Sequence, residues 1–319
     1  MGRFLARRIL FGVVVMWVVA TVVFLLYYVS PHDPARLIAG KNATAQTLAD
    51  IRLRLGLNKP LIDQYGSYLG RLLHGNLGYS YFNSEPVSTI VGQDLPVTAS
   101  LAVGGAVLWL IIGVLAGVLA STRPRSAADR TVTGLALFFY SMPTFLLGEL
   151  LLLVLFFRLT LLGVHFFPGS GYVGITQSVG QWAQHLILPW FTLALVTGAV
   201  YARLTRGSML DVMGEDYVRT ARAKGLSERR VVYRHGLRAA ITPVTTQFGI
   251  DLGTLLGGVI ITETVYGLPG LGQQIYNSIS RQDLPVIIAL VLLASAFVVV
   301  ANIIVDAVYA LLDPRVRLH

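Results

Sequence analysis

Six stretches of the chain are almost continuously apolar: approximately Ile9 to Tyr28, Val97 to Ser121, Val132 to Phe157, His185 to Ala202, Ile241 to Val265 and Leu284 to Leu312. Each is close to the roughly 20 residues that an α-helix needs to cross a hydrocarbon core about 30 Å thick. The pattern therefore predicts an all-α integral membrane protein with six transmembrane helices. Two long polar interruptions stand out. One, Pro31 to Leu95, lies between the first and second runs. The other, Glu215 to Pro243, separates the fourth and fifth runs, which would otherwise form a hairpin.

The second interruption reads as a handle. Two short helices are expected on either side of Gly225, whose missing Cβ permits a turn, with Ser227 placed to cap the second and Glu228 in its first turn. Arg219, Arg222 and Lys224 make the first helix basic. Ala221 and Ala223 leave room for close approach, which suits docking into a groove on another protein. A merely basic loop held on the cytoplasmic side is the other reading of the same residues. The outer interruption predicts a small cap: a helix over Thr44 to Leu55 ended by Gly56, a second over Pro60 to Leu73 with Leu61, Tyr65, Tyr68, Leu69 and Leu72 at helical spacing, then a short extended piece in Gly75 to Tyr81. Asn42-Ala43-Thr44 matches a glycosylation sequon, a three-residue pattern too common to carry a role.

Composition agrees with the membrane reading, since 55% of the 319 residues are hydrophobic and 13% charged, where soluble chains carry about a quarter charged. The net charge of +9 raises nucleic acid as a partner, and its distribution removes that idea. With the N-terminus in the cytoplasm, the inner segments hold 17 of the 25 basic residues, the positive-inside bias, and six spans put both termini on the cytoplasmic side. The first run is too long for a signal-peptide core and Tyr27 to Asp33 offer no small-residue cleavage site, so it is expected to remain as an anchor in the lipid. There are no cysteines, which excludes disulfides, thiolate metal sites and cysteine catalysis.

Within the apolar runs a few residues invite chemistry. Gly104, Gly105, Gly113 and Gly117 are expected to let helices pack closely, and the second span is expected to begin after Pro96. Ser141-Met142-Pro143 predicts a kink that frees backbone groups, and Pro189 another. Glu149 and Asp251 are intramembrane carboxyls, each expected either to line a translocation pathway or to be held in a helix interface. Asp306, near the end of the sixth run, is within reach of the handle arginines. Catalytic patterns are missing. Gly40-Lys41 lacks the glycine spacing and following Ser or Thr of a phosphate loop, the six histidines show no ligand spacing, and Gly78 to Phe82 fails as a nucleophile elbow. These observations suggest a transport channel moved by something else, and no enzyme.

Several motifs then carry a resemblance. The handle resembles the cytoplasmic loop of ABC importer permeases, whose pattern is Glu-Ala-Ala, three residues, Gly, nine residues, Ile, one residue, Leu-Pro. Gly225 and Leu237 match, while Arg219-Thr220-Ala221 stands for Glu-Ala-Ala, His235 for Ile and Arg238 for Pro. That form, YVRTARAKGLSERRV followed by RHGLR and Pro243, is similar to the peptide and nickel branch. LGLNKPLIDQY, GNLGYSYFNSEPV, LPVTASLA, SMPTF, ETVYGLPGLG with RQDLP, and NIIVDAVYALLDPRVR extend the likeness along the whole length. Asn76 stands where an Asp is expected. The chain thus resembles the B-type subunit of a dipeptide or oligopeptide permease pair.

The resemblance implies a type I importer permease fold in the bacterial inner membrane. It implies residues 1–30 as N-terminus and first span, 31–96 as an extracytoplasmic segment, and 97–319 as a five-helix core containing a coupling segment at 207–240. It implies a second homologous permease as heterodimer partner, two ABC ATPase subunits or a fused ATPase, and an extracytoplasmic substrate-binding protein. No cofactor is expected in this chain; ATP and Mg belong to the ATPases. Coupling is expected at Tyr217, Arg219, Thr220, Ala221, Arg222, Ala223, Lys224, Gly225, Leu226, Ser227, Glu228, Arg229 and Arg230, and the pathway at Asp251, Glu149 and Pro143. The expected substrates are short peptides. Nickel chelates, glutathione or haem are the alternative, and a transporter that works without an ATPase, using Asp251 and Glu149, is a remoter one.

Overall fold

The computed structural model describes residues 2–29, 35–36, 44–80 and 82–312. The sequon at Asn42, the Gly40-Lys41 pair and the C-terminal DPRVR lie outside the described residues, as does the side chain of Asp306. In chain order the elements are α1 (Gly2–Val29), α2 (Ala45–Leu55), α3 (Leu61–Leu73), β1 (Tyr79–Ser80), β2 (Glu85–Pro86), α4 (Val87–Thr122), α5 (Ala127–Ser141) and α6 (Thr144–Leu151). Then come α7 (Val179–Met213), α8 (Asp216–Ala223), α9 (Glu228–Arg230), α10 (Arg238–Tyr266), α11 (Leu271–Arg281) and α12 (Leu284–Leu312). Two π-helical segments join these: Leu152–Arg158 continues α6, and Val231–Leu237 runs from α9 into α10.

Among the described residues, five helices are long and apolar enough to cross a membrane by length and composition: Ala6–Leu26, Val87–Thr122, Thr144–Leu161, Val179–Met213 and Leu284–Ile304. The 29-residue α10 occupies the place of the fifth apolar run. The second helix does not begin after Pro96. It starts at Val87, ten residues before the expected Val97, and carries Pro96 inside it: Val87, Ile90 and Val91 recur at helical spacing and are buried, and proline removes a single ladder N–H.

The chain divides into two compact units, residues 95–273 and residues 1–94 with 274–319. In the first, α4 and α7 meet along a seam of small residues. A Cβ on Gly113 would stand 2.8 Å from the carbonyl oxygen of Gly198, and one on Gly117 would stand 2.7 Å from that of Ala202. Those obstacles are backbone, so the approach needs glycine, as expected from the run. Trp109 and Tyr201 are buried beside the seam with their ring centroids 6.2 Å apart. On its other side α7 carries α5. The Arg206 guanidinium grips Asp129 through Nε at 2.6 Å and Nη2 at 2.8 Å. The Arg125 amide donates to the same carboxylate, and Ser126 caps α5 by accepting the Asp129 amide. The Arg206 guanidinium, then the Arg125 amide, hold the Asp129 carboxyl well below the usual carboxylate range.

In the second unit α2 is built as its sequence predicts, with Thr44 accepting the Thr47 amide at the start and Gly56 left-handed at φ +68° at the end. Along α3, Tyr65, Tyr68, Leu69 and Leu72 pack with Ala20 and Phe24 of α1 and Leu292 of α12, whereas Leu61 is exposed. The Tyr65 and Thr21 hydroxyls are 2.6 Å apart. Strands β1 and β2 pair antiparallel, Tyr79 opposite Pro86. Asn76 Oδ1 accepts the Gly78 amide at 3.0 Å, a turn that needs a carbonyl-type oxygen and no charge. The Ser80 hydroxyl donates to Asp283, just ahead of α12, and the Arg281 guanidinium lies 4.1 Å from the Phe82 ring centroid. The GNLGYSYFNSEPV and RQDLP motifs therefore meet in space. Burial raises the Asp283 carboxyl against the opposing effect of the Ser80 bond.

Candidate functional site

The handle is assembled on the end of α7. After Met213 the chain turns through Gly214, and Glu215, in extended backbone, starts α8. Val218 and Ala221, three residues apart and so on one helix face, are buried against Val231, with Val212, Met213 and Leu226 around them. Gly236, in the π-helical segment, packs against two methionines, so that a Cβ there would stand 2.9 Å from Met213 Sδ and 3.3 Å from Met209 Cε. Behind it Met209, Val232, Ala240 and Val118 form a second small cluster. The handle is thus seated on its own chain through one narrow apolar face.

Two expectations are corrected here. Ala221 is buried in that face, so its small side chain serves close packing within the chain; Ala223, two residues on, is exposed. Ser227 has the extended backbone of an N-cap residue, yet its side chain makes no capping bond, and the one-turn α9 begins with Glu228 turned toward Arg222. That pair is bidentate, Nε to Oε2 at 3.2 Å and Nη2 to Oε1 at 2.8 Å, and it spans the turn from α8 to α9. The Arg222 bonds lower the Glu228 carboxyl below its ordinary value. Gly225 sits between them at φ +77°, its amide donating to Arg222 O at 2.9 Å. A Cβ there would meet nothing within 4 Å. The left-handed backbone, and not crowding, is what calls for glycine.

The opposite face of the handle is free of such packing. Tyr217, Arg219, Thr220, Arg222, Ala223, Lys224, Gly225, Ser227, Glu228, Arg229 and Arg230 are exposed, and Leu226 is half-buried. Twelve of the thirteen expected coupling residues are therefore wholly or partly accessible, and Ala221 is buried.

The intramembrane candidates separate from one another. Asp251 is half-buried on α10, where it accepts the Tyr201 hydroxyl at 2.7 Å and the Gln247 amide at 2.9 Å. It is held in the α7–α10 interface and still partly accessible. Glu149 is exposed on α6. Pro143 is exposed as well; with Met142 extended, it separates α5 from α6, so the expected kink is a complete break in the helix.

The carboxylate that sequence reading passed over is Glu263. It is fully buried and accepts from Thr98, Gly272 and Gln273. The Thr98 hydroxyl donates to Oε1 at 2.6 Å while accepting the Leu271 amide at 2.8 Å. The Gly272 and Gln273 amides donate to Oε2 at 2.8 and 3.0 Å. A carboxylate thereby closes the N-terminus of α11, where unpaired amides and the helix dipole favour negative charge. Gly272 has no space for a Cβ, which would lie 2.6 Å from Ile260 Cα. LPVTASLA and ETVYGLPGLG are joined by this clamp. The signal in the sequence was the pair of glycines, Gly270 and Gly272, following an acid at loop distance. Among the described residues, no group of three or more His, Asp or Glu side chains is arranged to hold a metal ion.

Comparison with known proteins gives a consistent result. Residues 110–318 match the family described as binding-protein-dependent transport system inner membrane component, and residues 1–102 match the family of its N-terminal part. A probable peptide ABC transporter permease protein, y4tP, of Sinorhizobium fredii (strain NBRC 101917 / NGR234) is 41% identical over 317 residues, covering 99% of this chain and 100% of its own. A putative peptide transport system permease protein of Brucella abortus (strain 2308) is 40% identical with 99% of each chain covered. The glutathione transport system permease protein GsiC of Escherichia coli (strain K12) is 39% identical, again with 99% of each covered. Among solved structures, an inward-facing MetNI methionine ABC transporter superposes with a TM-score of 0.52 at 22% identity, over 70% of this chain and 99% of that one. That likeness concerns the fold.

Proposed function

Because this chain belongs to the family of inner-membrane components of binding-protein-dependent transport systems, we propose that it is one permease subunit of an ATP-driven importer of dipeptides and oligopeptides. Six helices cross the bacterial inner membrane, α10 among them, and both termini face the cytoplasm. A second, homologous permease completes the pathway. ATPase subunits, which carry the ATP and Mg, grip the handle, and an extracytoplasmic binding protein delivers the substrate. ATP binding draws the ATPases together, their motion carries the handle, and the spans open outward; hydrolysis resets them.

The observation that carries this reading is the two-sided build of the handle. Its inner face is used up in packing on the same chain, while around Gly225 its outer residues, among them the five basic residues Arg219, Arg222, Lys224, Arg229 and Arg230, stay exposed. A loop that was only a retained charge would not need a packed seat. Peptides are named because y4tP and the Brucella protein are described as peptide permeases; glutathione, itself a small peptide, is the second reading, favoured by the comparable identity to GsiC. Asp251, Glu149 and Pro143 are assigned to the pathway, with Asp251 its best-placed charge. The test is reconstitution in liposomes with the cognate ATPases, second permease and binding protein, followed by uptake of labelled di- to pentapeptides and glutathione. Uptake that requires ATP, ATPases and binding protein is expected. Full uptake without any ATPase would overturn the reading.

A further inference from the structure

The Asp129–Arg206 fork joins the root of the handle to a helix that takes no part in the handle's apolar seat. Asp129 is 4% exposed, and its two oxygens collect Arg206 Nε and Nη2, the Arg125 amide and, at 3.3 Å, the Thr133 hydroxyl. Arg206 lies nine residues before Glu215, about 13 Å along α7 at 1.5 Å per residue. Asp129 lies near the start of α5, whose far end is the break at Pro143, about 20 Å away by the same rise. On α7, Arg203, one turn from Arg206, places its guanidinium 5.9 Å from the ring centroid of Tyr140, near the C-terminus of α5. Two neighbouring arginines of the handle helix thus reach α5 near both of its ends, Arg206 through the fork and Arg203 through an exposed ring contact.

The two sides of α7 are fastened differently. Toward α4 the seam is glycine against backbone, without a polar bond at Gly113 or Gly117. The directional bond on that side, Trp190 Nε1 donating to Ser100 O at 3.0 Å, lies 16 residues along α7 from Arg206, so the stretch next to the handle resists separation more than small sliding. Toward α5 the fastening is a bidentate fork, fixed in direction as well as distance. With Asp129 buried and the Arg206 side chain 30% exposed, such an ion pair is a poor source of net stability, since desolvation offsets the attraction, whereas removing one partner is costly. Its value lies in specifying one arrangement. We propose that the Asp129–Arg206 fork is a positioning lock that makes α5 move as one body with the handle helix α7, so that displacement of the handle is delivered to the Pro143 break and from there to α6. Neither residue touches substrate or nucleotide in this assignment, which rests on the importer reading given above.

The test uses the complete transporter in liposomes with peptide uptake and ATP hydrolysis measured separately. Asp129→Asn and Arg206→Gln are each expected to lower the peptide taken up per ATP hydrolysed by about tenfold, within the usual range of a coupling between sites. Basal hydrolysis should stay within about twofold, and the double variant should be no worse than the poorer single one, because the two residues act as a unit. A wild-type ratio in both single variants overturns the lock, whether their rates fall together or do not change. A second measurement leaves the fork untouched. The cysteine-free chain accepts Ala128→Cys and Asp211→Cys at exposed positions of α5 and α7, and spin labels there should keep their separation between nucleotide-free and ATP-bound complexes. A change of about one helical turn, 5.4 Å, overturns the proposal. Absence of ATP-driven uptake in the wild type would refute the importer reading instead, and the label separation would still decide the lock.

Discussion

The handle around Gly225 and the clamp around Glu263 are made from similar parts, a carboxylate, a left-handed glycine and a short helix, and they use them in opposite ways. At the clamp every polar group is spent internally: Glu263 is fully buried and takes Thr98, Gly272 and Gln273 as donors, while Gly267 at φ +58° ends α10. At the handle the corresponding pair, Arg222 and Glu228, is exposed, and the basic side chains around it remain accessible. The difference separates a joint that must keep one shape from a surface kept for another molecule. In the clamp, chemistry is consumed by the fold. In the handle, the fold consumes only Val218, Ala221 and Val231 and leaves the rest.

The largest effect that could break this contrast is expected at the clamp. Glu263→Ala strands two amides and a hydroxyl, a loss of about 3 kcal/mol or more, and should lower the thermal midpoint and yield of the detergent-solubilised protein. Glu263→Gln, which keeps one acceptor oxygen, should fall between that variant and the wild type. A melting curve for Glu263→Ala that overlays the wild type would remove the clamp's structural role. Next comes the handle, where stability and activity should part company. At Gly225 a Cβ meets nothing within 4 Å and the left-handed backbone costs a non-glycine residue about 1–2 kcal/mol, so with Gly225→Trp membrane insertion should persist while ATP-coupled uptake is lost. Normal uptake by that variant would count against docking at this turn.

A smaller and more selective effect is expected at Asp251. Asp251→Asn retains the shape that meets Tyr201 and Gln247, so insertion should be unaffected and uptake kinetics should shift by several-fold for some peptides more than others. Identical kinetics across a peptide series would reduce the residue to packing. The smallest effect is Glu228→Ala, worth less than about 1 kcal/mol for an exposed pair and weakened by salt. Because Arg222 lowers the Glu228 carboxyl below its ordinary 4.5, the pair's contribution is complete above that value and fades only as pH falls through the lowered one. The melting difference between wild type and variant should therefore be equal at pH 7 and pH 6; a difference that vanishes between them would contradict the pairing.

Much of this was legible in the sequence for identifiable reasons. The apolar runs and the Gly56 and Gly225 stops are local signals, each settled by a few neighbouring residues. Gly113 and Gly117 could be read as packing positions because nothing else in a lipid-facing run requires so small a residue. Other features depend on partners far along the chain. Glu263 needs Thr98, 165 residues away, and Asp129 needs Arg206, 77 residues away; no spacing rule connects either pair. Ala221 was read as an outward docking position because alanine fits a groove on a partner and a tight seat on the same chain equally well, and only the burial of Val218 and Val231 decides between them. Ser227 had the residue type and backbone of a cap, but the bidentate approach of Glu228 to Arg222 shaped that turn instead. Pro96 was given the force of a boundary, although a long helix tolerates the loss of one ladder bond when packing holds both sides.

The π-helical passage Val231–Leu237 has its effect at a distance. A widened turn there sets the azimuth at which the following 29-residue helix leaves the handle, and one residue more or fewer would rotate that helix by about 100° about its own axis. Asp251 would then face away from Tyr201. The orientation of an entire apolar rod is therefore written in seven residues that show no apolar period of their own, and length in that stretch matters more than the identity of most of its side chains.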